Sequence, residues 1–343
     1  MSERPSLMFA ETGEAAAVVS RLLKREEKTF RLLGRLIAER RPPVITVAAR
    51  GSSDHAVSFF KYLFEIFCGI PVASLGPSIA SVYRASLRLP GALHITVSQS
   101  GASPDIIAVQ DEARRGGALT VAVVNVENSP LAGAADVVLP IHAGEEKSVA
   151  ATKSFIASAA ALAAITQAAA ESAELAAGLE RLPEALDGAF EADFEPALPL
   201  LVKAQSLFTA GRGPGFAIAL EAALKAKETA KLHAEAFSLA ELMHGPMQLV
   251  EEGFPILAFA PEDEALPSNI AVMQKLRGLG ARIVAFSSRD LGEGTIFVPS
   301  TGHGRLDPLA ALAAYYRLAE RLARERGFDP DRPDKLSKVT ETI

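Results

Sequence analysis

The sequence predicts an α/β fold in which parallel sheets carry helices on both faces, and three features indicate it. Short apolar runs rich in β-branched residues alternate with stretches long enough for helices. Two rounds of this alternation follow each other along the chain, and part of the second can be laid over part of the first. Such sheets bind ligands beyond the carboxyl ends of their strands, which directs attention to the loops after residues 49 and 98.

The elements begin with an N-terminal helix. Residues 14–41 have amphipathic spacing and are followed by Pro42-Pro43, which bars continuation of a helix. The strand candidates of the first round are VITVAA (44–49), VASL (72–75), LHITVS (93–98), LTVAVVN (119–125) and DVVLPI (136–141). An alanine-rich helix at about 149–178 and a proline-interrupted junction near 182–197 come next. The strand candidates of the second round are SLFTAG (206–211), PILAFA (255–260), RIVAFS (282–287) and TIFVPS (295–300).

The two rounds indicate a duplicated unit. VITVAARGSSDHAVSFFKYLFE (44–65) can be laid over SLFTAGRGPGFAIALEAALKAKE (206–228). Pro214-Gly215 stands in the second copy where Ser52-Ser53 stands in the first, so we expect one copy to keep an anion site and the other to have diverged. The predicted organisation is an N-terminal helical segment, two sheet domains and a C-terminal tail, at residues 1–42, 43–180, 181–328 and 329–343.

Composition limits the possible classes of protein. A chain of 343 residues that is 49% apolar and 22% charged is typical of a soluble globular protein of about two domains. A net charge of −6 provides no basic stripe for nucleic acid. The single cysteine, Cys68, excludes a disulfide framework, predicts a buried inert thiol and suits the cytoplasm. Neither a signal peptide nor a membrane span is indicated, so no membrane partner is expected.

Hydroxyl groups concentrate where two first-round strands end. The segment TVSQSGASPD (96–105) ends a strand and begins a helix, with Ser103 placed to cap the helix and Pro104 in its first turn. Ser98, Ser100 and Ser103 crowd this helix N-terminus, where backbone N–H groups and the helix dipole favour an anion. An ordinary serine-capped turn has the same pattern. A sugar phosphate is the ligand that would suit these neutral hydroxyls.

Two more loops favour phosphate over the alternatives. RGSSDHA (50–56) has the same strand-to-helix placement, and VAATKS (149–154) supplies Thr152 and Lys153 at the start of another helix. Nucleotide motifs fit poorly, because there is no GxxxxGK[ST] and GRGPG (211–215) lacks the spacing of a dinucleotide fingerprint. The histidines are scattered, without HExxH or a cysteine partner, so neither a metal nor a cofactor is expected. They are His55, His94, His142, His233, His244 and His303.

The run LEAALKAKETAKLHAEAFSLAELMHGP (220–246) combines several kinds of proton-transfer group. Glu221, Lys225 and Glu228 fall at i, i+4 and i+7, so they share one face of a helix. Two interpretations remain open for this face: a solvated ion pair between Glu221 and Lys225, or an acid–base site. His244 lies in the HGP turn that ends the run, where it is either structural or directed toward a pocket.

At these residues the sequence resembles the sugar isomerase (SIS) family, in particular the double-SIS isomerase half of glucosamine-6-phosphate synthase. The resemblance covers about residues 8–343. Its motifs, in order, are RGSS, SQSGAS, VAATK, LEAALKAKE, HAEAF, ELMHGP and DPDRPDKLSKVTETI. It implies two flavodoxin-like SIS domains, no metal or organic cofactor, and a homodimer in which His244 reaches the site of the neighbouring subunit.

The resemblance also implies residue roles. Glu228 would shuttle a proton between C1 and C2, His244 would assist ring opening, and Lys225 and Glu221 would position or polarise the substrate. Lys338 matches the C-terminal lysine with which the synthase holds open-chain fructose 6-phosphate as a Schiff base. The implied phosphate ligands are Ser52, Ser53, Ser98, Gln99, Ser100 and Ser103, and further substrate contacts are Gly51, Val149, Ala151 and Thr152.

Departures from the synthase change the expected reaction. The chain passes from MSERPSL directly into the first SIS region, so we expect no glutamine hydrolysis by a glutaminase domain. Ala102 and Ala151 stand where an acidic residue and a serine are usual. The chain then resembles SIS-type glucosamine-6-phosphate deaminases, and the expected reaction converts glucosamine 6-phosphate to fructose 6-phosphate and ammonia. The alternatives are a fructosamine-6-phosphate deglycase and a non-catalytic sugar-phosphate-binding regulator.

Overall fold

The computed structural model describes residues 5–338, and over this range the chain forms two five-stranded parallel sheets. Each sheet belongs to a separate unit. The first-sheet unit comprises residues 17–146 and 153–176, and the second-sheet unit comprises residues 5–16, 147–152 and 177–338. The predicted α/β class with parallel sheets is confirmed. The predicted boundaries at residues 42, 180 and 328 stay predictions, and residues 1–4 and 339–343 of the predicted terminal segments lie outside the described residues.

The N-terminal segment forms helices α1 (Leu7–Gly13), α2 (Ala15–Arg25) and α3 (Glu27–Arg40). Ser6 begins α1, since its hydroxyl accepts a hydrogen bond from the Phe9 N–H at 3.0 Å. The prediction of one helix over 14–41 is wrong, because the backbone leaves the helical region at Glu26, between α2 and α3. The sequence pattern did not predict α1.

The first sheet has the strand order β2-β1-β3-β4-β5, with every neighbouring pair parallel. Its strands are β1 (Ile45–Ala48), β2 (Val72–Ser74), β3 (Leu93–Ser98), β4 (Leu119–Val124) and β5 (Val137–Pro140). All five strand predictions of the first round are confirmed to within a residue at each end. His94 lies in the core of this sheet, where its ring contacts the Thr46 and Thr96 hydroxyls at 2.9 and 3.0 Å. Burial lowers the pKa of His94 to about 4, which keeps this structural imidazole neutral.

The helices of the first-sheet unit place its loops and its core. They are α4 (Ser52–Cys68), α5 (Ser78–Ser81), α6 (Pro104–Arg115), α7 (Pro130–Gly133) and α8 (Lys153–Ala170). Helix α8 is long and apolar enough to cross a membrane, but most of it is buried against α3 and α4, as in a core helix. Cys68 is half-buried at the end of α4 rather than fully buried as predicted, and burial raises the pKa of its thiol to about 11.

The second sheet has the strand order β10-β9-β8-β6-β7, again all parallel. Its strands are β6 (Ser206–Gly211), β7 (His233–Ser238), β8 (Pro255–Phe259), β9 (Arg282–Ser287) and β10 (Thr295–Phe297). The helices around it are α9 (Ala173–Phe190), α10 (Leu198–Lys203), α11 (Pro214–Ala230), α12 (Leu239–Leu242), α13 (Leu266–Gly278) and α14 (Asp307–Glu325). Short 3-10 turns occupy Glu195–Ala197 and Pro246–Leu249.

Four details of the second round and of the stretch before it differ from expectation. The predicted alanine-rich helix at about 149–178 is two helices, because α8 ends at Ala170 and α9 begins at Ala173. Strand β10 ends at Phe297, three residues before the predicted end of TIFVPS (295–300). The HAEAFS segment forms the edge strand β7, which was not among the strand candidates because its alternation of small and polar residues lacks a β-branched run. Helix α9 continues through Pro183 to Phe190, so the predicted interruption near 182 is wrong. The break in the pattern falls at the turn Glu195–Ala197 instead.

The duplication is visible in the backbone. Both sheets have the same strand order when each is read from its edge, and the turns after β1 and β6 have matching glycines. Gly51 adopts φ 53° and ψ −129°, and Gly213 adopts φ 56° and ψ −132°. This conformation is strained for residues with a Cβ, which explains why both copies of the turn have a glycine.

Candidate active site

Two of the predicted phosphate loops lie next to each other at the carboxyl ends of the strands of the first sheet. Gly51 precedes α4, which begins at Ser52 and Ser53, and the segment from Ser98 to Ser103 joins β3 to α6. Since β1 and β3 are parallel neighbours, these loops lie side by side at the point where the strand order reverses. The serine side chains here are half-buried. The structure therefore groups six predicted ligands at the carboxyl ends of neighbouring strands: Ser52, Ser53, Ser98, Gln99, Ser100 and Ser103.

Local hydrogen bonds shape the loop after β3. The Ser98 and Ser100 hydroxyls accept from the N–H groups of Gly101 and Ala102 at 3.0 and 3.3 Å. Gly101 has φ 61°, and a Cβ there would lie 2.2 Å from the Ser129 hydroxyl, so no other residue fits without a shift. Ser103 occupies the predicted N-cap position of α6, but among residues 5–338 its hydroxyl makes no capping bond.

A cation beside these loops was missed by the sequence reasoning. Arg50 follows β1, and its Nε donates to the carboxylate of Asp105, in the first turn of α6, at 2.9 Å; Nη2 donates to the same oxygen. Asp105 is completely buried, whereas the Arg50 side chain is 49% exposed. The arginine thus ties together the two hydroxyl-rich loops through an ion pair. In the sequence, the position of Arg50 directly before Gly51 could have indicated that it belongs to the phosphate loop.

The third predicted loop is divided between the units. Val149, Ala151 and Thr152 belong to the second-sheet unit, whereas Lys153 begins α8 in the first-sheet unit. Thr152 is buried, and Val149 and Ala151 are half-buried.

Helix α11 of the second-sheet unit carries the predicted acid–base face. The Nζ atom of Lys225 lies 3.2 Å from a Glu221 oxygen and 2.5 Å from a Glu228 oxygen. Glu221 and Lys225 are fully buried, and 21% of the Glu228 side chain is exposed. The Tyr316 hydroxyl of α14 donates to Glu221 at 3.1 Å. The cluster therefore lies within the unit, and the interpretation as a solvated ion pair is wrong.

The electrostatics of this cluster keep its lysine charged. Burial by itself lowers the pKa of the Lys225 ammonium, but attraction from Glu221 and Glu228 outweighs burial, so the pKa stands above its ordinary value. A charged lysine fixes one Glu228 oxygen, while the partly exposed carboxylate can still meet a ligand. Such an arrangement can move a proton at Glu228 and stabilise negative charge beside it.

The C-terminal tail returns to the same unit. The Lys338 ammonium donates to the Ser148 carbonyl at 2.7 Å. Earlier in the tail, Asp334 pairs with Lys231, the residue that follows α11, at 2.8 Å. The ammonium group of Lys231 also lies 4.8 Å from the centre of the Phe328 ring. The tail lysine is thus held beside the loop that carries Val149, Ala151 and Thr152.

His244 is exposed in the turn between α12 and the 3-10 turn Pro246–Leu249, where its N–H donates to the Glu241 carbonyl at 2.9 Å. Its predicted action in a neighbouring subunit stays a prediction. Within residues 5–338, no group of three or more His, Cys, Asp and Glu side chains could hold a metal ion.

Known proteins share these sequence features. The SIS domain profile matches residues 40–168 and 200–293. Glutamine–fructose-6-phosphate aminotransferase (isomerizing) of Aeropyrum pernix is 36% identical over 317 residues, and that of Zymomonas mobilis is 31% identical over 312 residues. Each alignment covers 86% of this chain and 50% or 51% of the relative. The chain therefore spans about half the length of the curated relatives it matches.

Solved structures share the fold. A Silicibacter pomeroyi protein provisionally described as a phosphosugar isomerase is 42% identical, with a TM-score of 0.90 over 95% of this chain and 100% of that one. The C-terminal domain of glucosamine-fructose-6-phosphate aminotransferase from Francisella tularensis is 26% identical, with a TM-score of 0.87 over 97% of this chain and 100% of that one. Because the SIS profile matches a segment in each half of the chain, this protein belongs to the SIS domain family.

Proposed function

We propose that the protein is a phosphosugar isomerase that converts glucosamine 6-phosphate to fructose 6-phosphate and releases ammonia. The observation that carries the proposal is the buried Lys225 between Glu221 and Glu228, with Glu228 partly exposed. The curated relatives are named glutamine–fructose-6-phosphate aminotransferase (isomerizing). This protein belongs to the same family as these relatives. Its carboxylate beside a fixed ammonium is an arrangement that supports proton transfer between adjacent carbons.

The proposed reaction begins with ring opening, assisted by His244, which exposes the C1 aldehyde. Glu228 removes the C2 proton to give an enolamine and returns the proton to C1, which leaves an imine at C2. Water then adds to the imine and ammonia leaves, so fructose 6-phosphate is formed. Lys225 stabilises the negative charge that develops during the transfer, and Lys338 holds the open-chain ketose as a Schiff base. In this scheme every catalytic group is a side chain of the protein, and water is the only other reactant.

The loops of the first-sheet unit would hold the phosphate. Ser52, Ser53, Ser100 and Ser103 offer hydroxyls near the N-termini of α4 and α6, where the helix dipoles favour an anion. Arg50, which is half-exposed beside its partner Asp105, would offer the phosphate charged N–H donors that these neutral groups lack. Hydrogen bonds between charged partners are roughly twice as strong as neutral ones.

Replacing Arg50 by methionine is expected to raise the KM for the phosphosugar about 10- to 100-fold, since a hydrogen bond to a charged group is worth about 1.5–3 kcal/mol. Asp105 would then lie buried without its cation, so the paired variant Arg50→Met/Asp105→Asn separates binding from folding. Arg88→Met, at an exposed arginine of the same unit, is the control. Calorimetric titration with inorganic phosphate gives the affinity. Wild-type affinity in the paired variant would contradict the assignment.

A coupled assay for ammonia over a panel of phosphorylated amino sugars tests the function. We expect release from glucosamine 6-phosphate, with fructose 6-phosphate formed in equal amount. Turnover of a fructose-lysine phosphate in its place would favour the deglycase. Binding of sugar phosphates without turnover of any of them would favour the regulator.

The expected assembly is a cytoplasmic homodimer with His244 acting on the partner's substrate. If so, mixing Glu228→Gln and His244→Ala subunits, each inactive alone, restores about a quarter of the sites, because half of the dimers are mixed and each mixed dimer has one intact site. The measurement is activity after joint refolding, with light scattering for the oligomeric state. No recovery from mixed dimers would show that His244 acts within its own chain.

A further inference from the structure

Helix α1 is fixed firmly within the second-sheet unit. The carboxylate of Asp331, in the tail, accepts hydrogen bonds from the N–H groups of Leu7 and Met8 at 2.7 and 2.8 Å. The Ser6 hydroxyl donates to Glu320 of α14 at 2.6 Å. A carboxylate at a helix N-terminus satisfies N–H groups that have no partner within the helix. The first turn of α1 is therefore held by both α14 and the tail.

Glu11 on this helix is a buried carboxylate that binds backbone. Only 5% of the residue is exposed. Its carboxylate accepts from the N–H of Lys147 at 2.5 Å and from the N–H of Ser148 at 3.2 Å. Two successive N–H groups directed at one anion form a concave site that compensates the loss of hydration. Glu11 thus fixes the chain at 147–148, directly before Val149.

Ser148 connects Glu11 to the tail lysine. Its N–H is held by Glu11, and its carbonyl accepts from the Lys338 ammonium at 2.7 Å. Ser148 is completely buried, and among the described residues its hydroxyl has no hydrogen-bond partner. The Ser148 main chain therefore lies between two charged groups, the Glu11 carboxylate at its N–H and the Lys338 ammonium at its carbonyl.

We propose that Glu11 is a positioning residue for Lys338: through the Ser148 main chain it sets the place of the amino group that forms the Schiff base. The inference rests on the proposed function in that it takes Lys338 to react with the substrate. In that step the Lys338 ammonium first releases one proton to solvent, and the resulting amine nitrogen adds to the C2 carbonyl carbon of the open-chain ketose. The carbonyl oxygen then leaves as water with the two hydrogens of the amine, and a C=N bond remains.

A double-mutant cycle tests the proposal. Glu11→Gln is expected to lower kcat about 10- to 100-fold with a smaller change in KM, because the amide would set an N–H group against a backbone N–H and displace the loop. Glu11→Asp, which keeps the charge and both acceptor oxygens, should keep more activity. In a Lys338→Ala background, Glu11→Gln should cost no more than about 2-fold, since residues acting in series are not additive. An equal loss in both backgrounds would overturn the proposal.

A second measurement does not depend on turnover. Acylation of lysines followed by mass spectrometry reports the reactivity of Lys338, with the exposed Lys203 as an internal standard. We expect the rate at Lys338 to change several-fold in Glu11→Gln and to stay unchanged in Glu180→Gln, an exposed carboxylate of the same unit. An unchanged rate in Glu11→Gln would overturn the proposal. Borohydride trapping with fructose 6-phosphate tests the Schiff base separately: absence of a wild-type adduct at Lys338 would refute that part of the proposed function, while acylation still reports the contact with Glu11.

Discussion

Glu228→Gln is expected to lower kcat for ammonia release on the order of 10³-fold, with phosphate binding nearly unchanged. Glutamine has the shape of glutamate and keeps an oxygen that can accept from Lys225, but it cannot take a proton from C2. Because Glu228 is the partly exposed member of the cluster, the loss of its charge should affect folding little.

The measurement pairs steady-state turnover with uptake of solvent deuterium at C1 and C2 of the sugar. Both should fall together if Glu228 transfers the proton, whereas the dissociation constant for inorganic phosphate should stay within about 2-fold. Glu235→Gln, at an exposed carboxylate on β7, is the matched control and should behave like the wild type. Near-wild-type turnover of Glu228→Gln would show that the base is another group.

Lys225→Met is expected to abolish turnover and to lower the free energy of unfolding by about 3–5 kcal/mol, the range for removal of one partner from a buried ion pair. Glu221 would be left charged in the interior without the ammonium, although the neutral Tyr316 hydroxyl still donates to it. The double variant Glu221→Gln/Lys225→Met removes both buried charges and should recover most of the stability but none of the activity. Urea unfolding provides the measurement, and Lys203→Met on α10 is the control.

The pH dependence of this stability has a definite sign. The folded-state pKa of Lys225 is raised, so the stabilisation is fully present below the unfolded-state value of about 10.4 and is lost only as pH rises through the higher folded value. The difference in stability between the wild type and the double variant should therefore be constant from pH 7 to 9. A marked decline over that interval would contradict a charged Lys225.

Much of the fold could be predicted from local patterns. Parallel strands such as LHITVS and RIVAFS are buried over most of their length and rich in apolar and β-branched residues, and their bounds match the prediction residue for residue. The prediction failed where tertiary contacts override local preference. Glu26 leaves the helix and binds Thr29 and His142, and β7 joins the sheet because a neighbouring edge is open to it, although its composition is weak for a strand.

The candidate site was predictable only in part. Helical spacing showed that Glu221, Lys225 and Glu228 share a face, and the structure confirms their contacts. Spacing could not show whether that face is buried, because burial depends on α14 and Tyr316, far away in the sequence. Two contacts were missed for the same reason, that of Arg50 with Asp105 and that of Glu11 with Ser148. Each joins segments that are far apart in the sequence, so no local pattern could have predicted the partner.

The sequence by itself determined the alternation of strands and helices, the duplication, the position of hydroxyl-rich loops at strand ends and the grouping of three charges on one helix face. These follow from chain periodicity and from residue types in fixed local geometry. The tertiary structure decided that two of the three charges are fully buried and the third partly, that a buried aspartate binds Arg50, and that Glu11 accepts hydrogen bonds from the backbone beside Lys338. Burial and long-range hydrogen bonds arise only when separate elements pack, and they set the charge and position of groups that the sequence can merely supply.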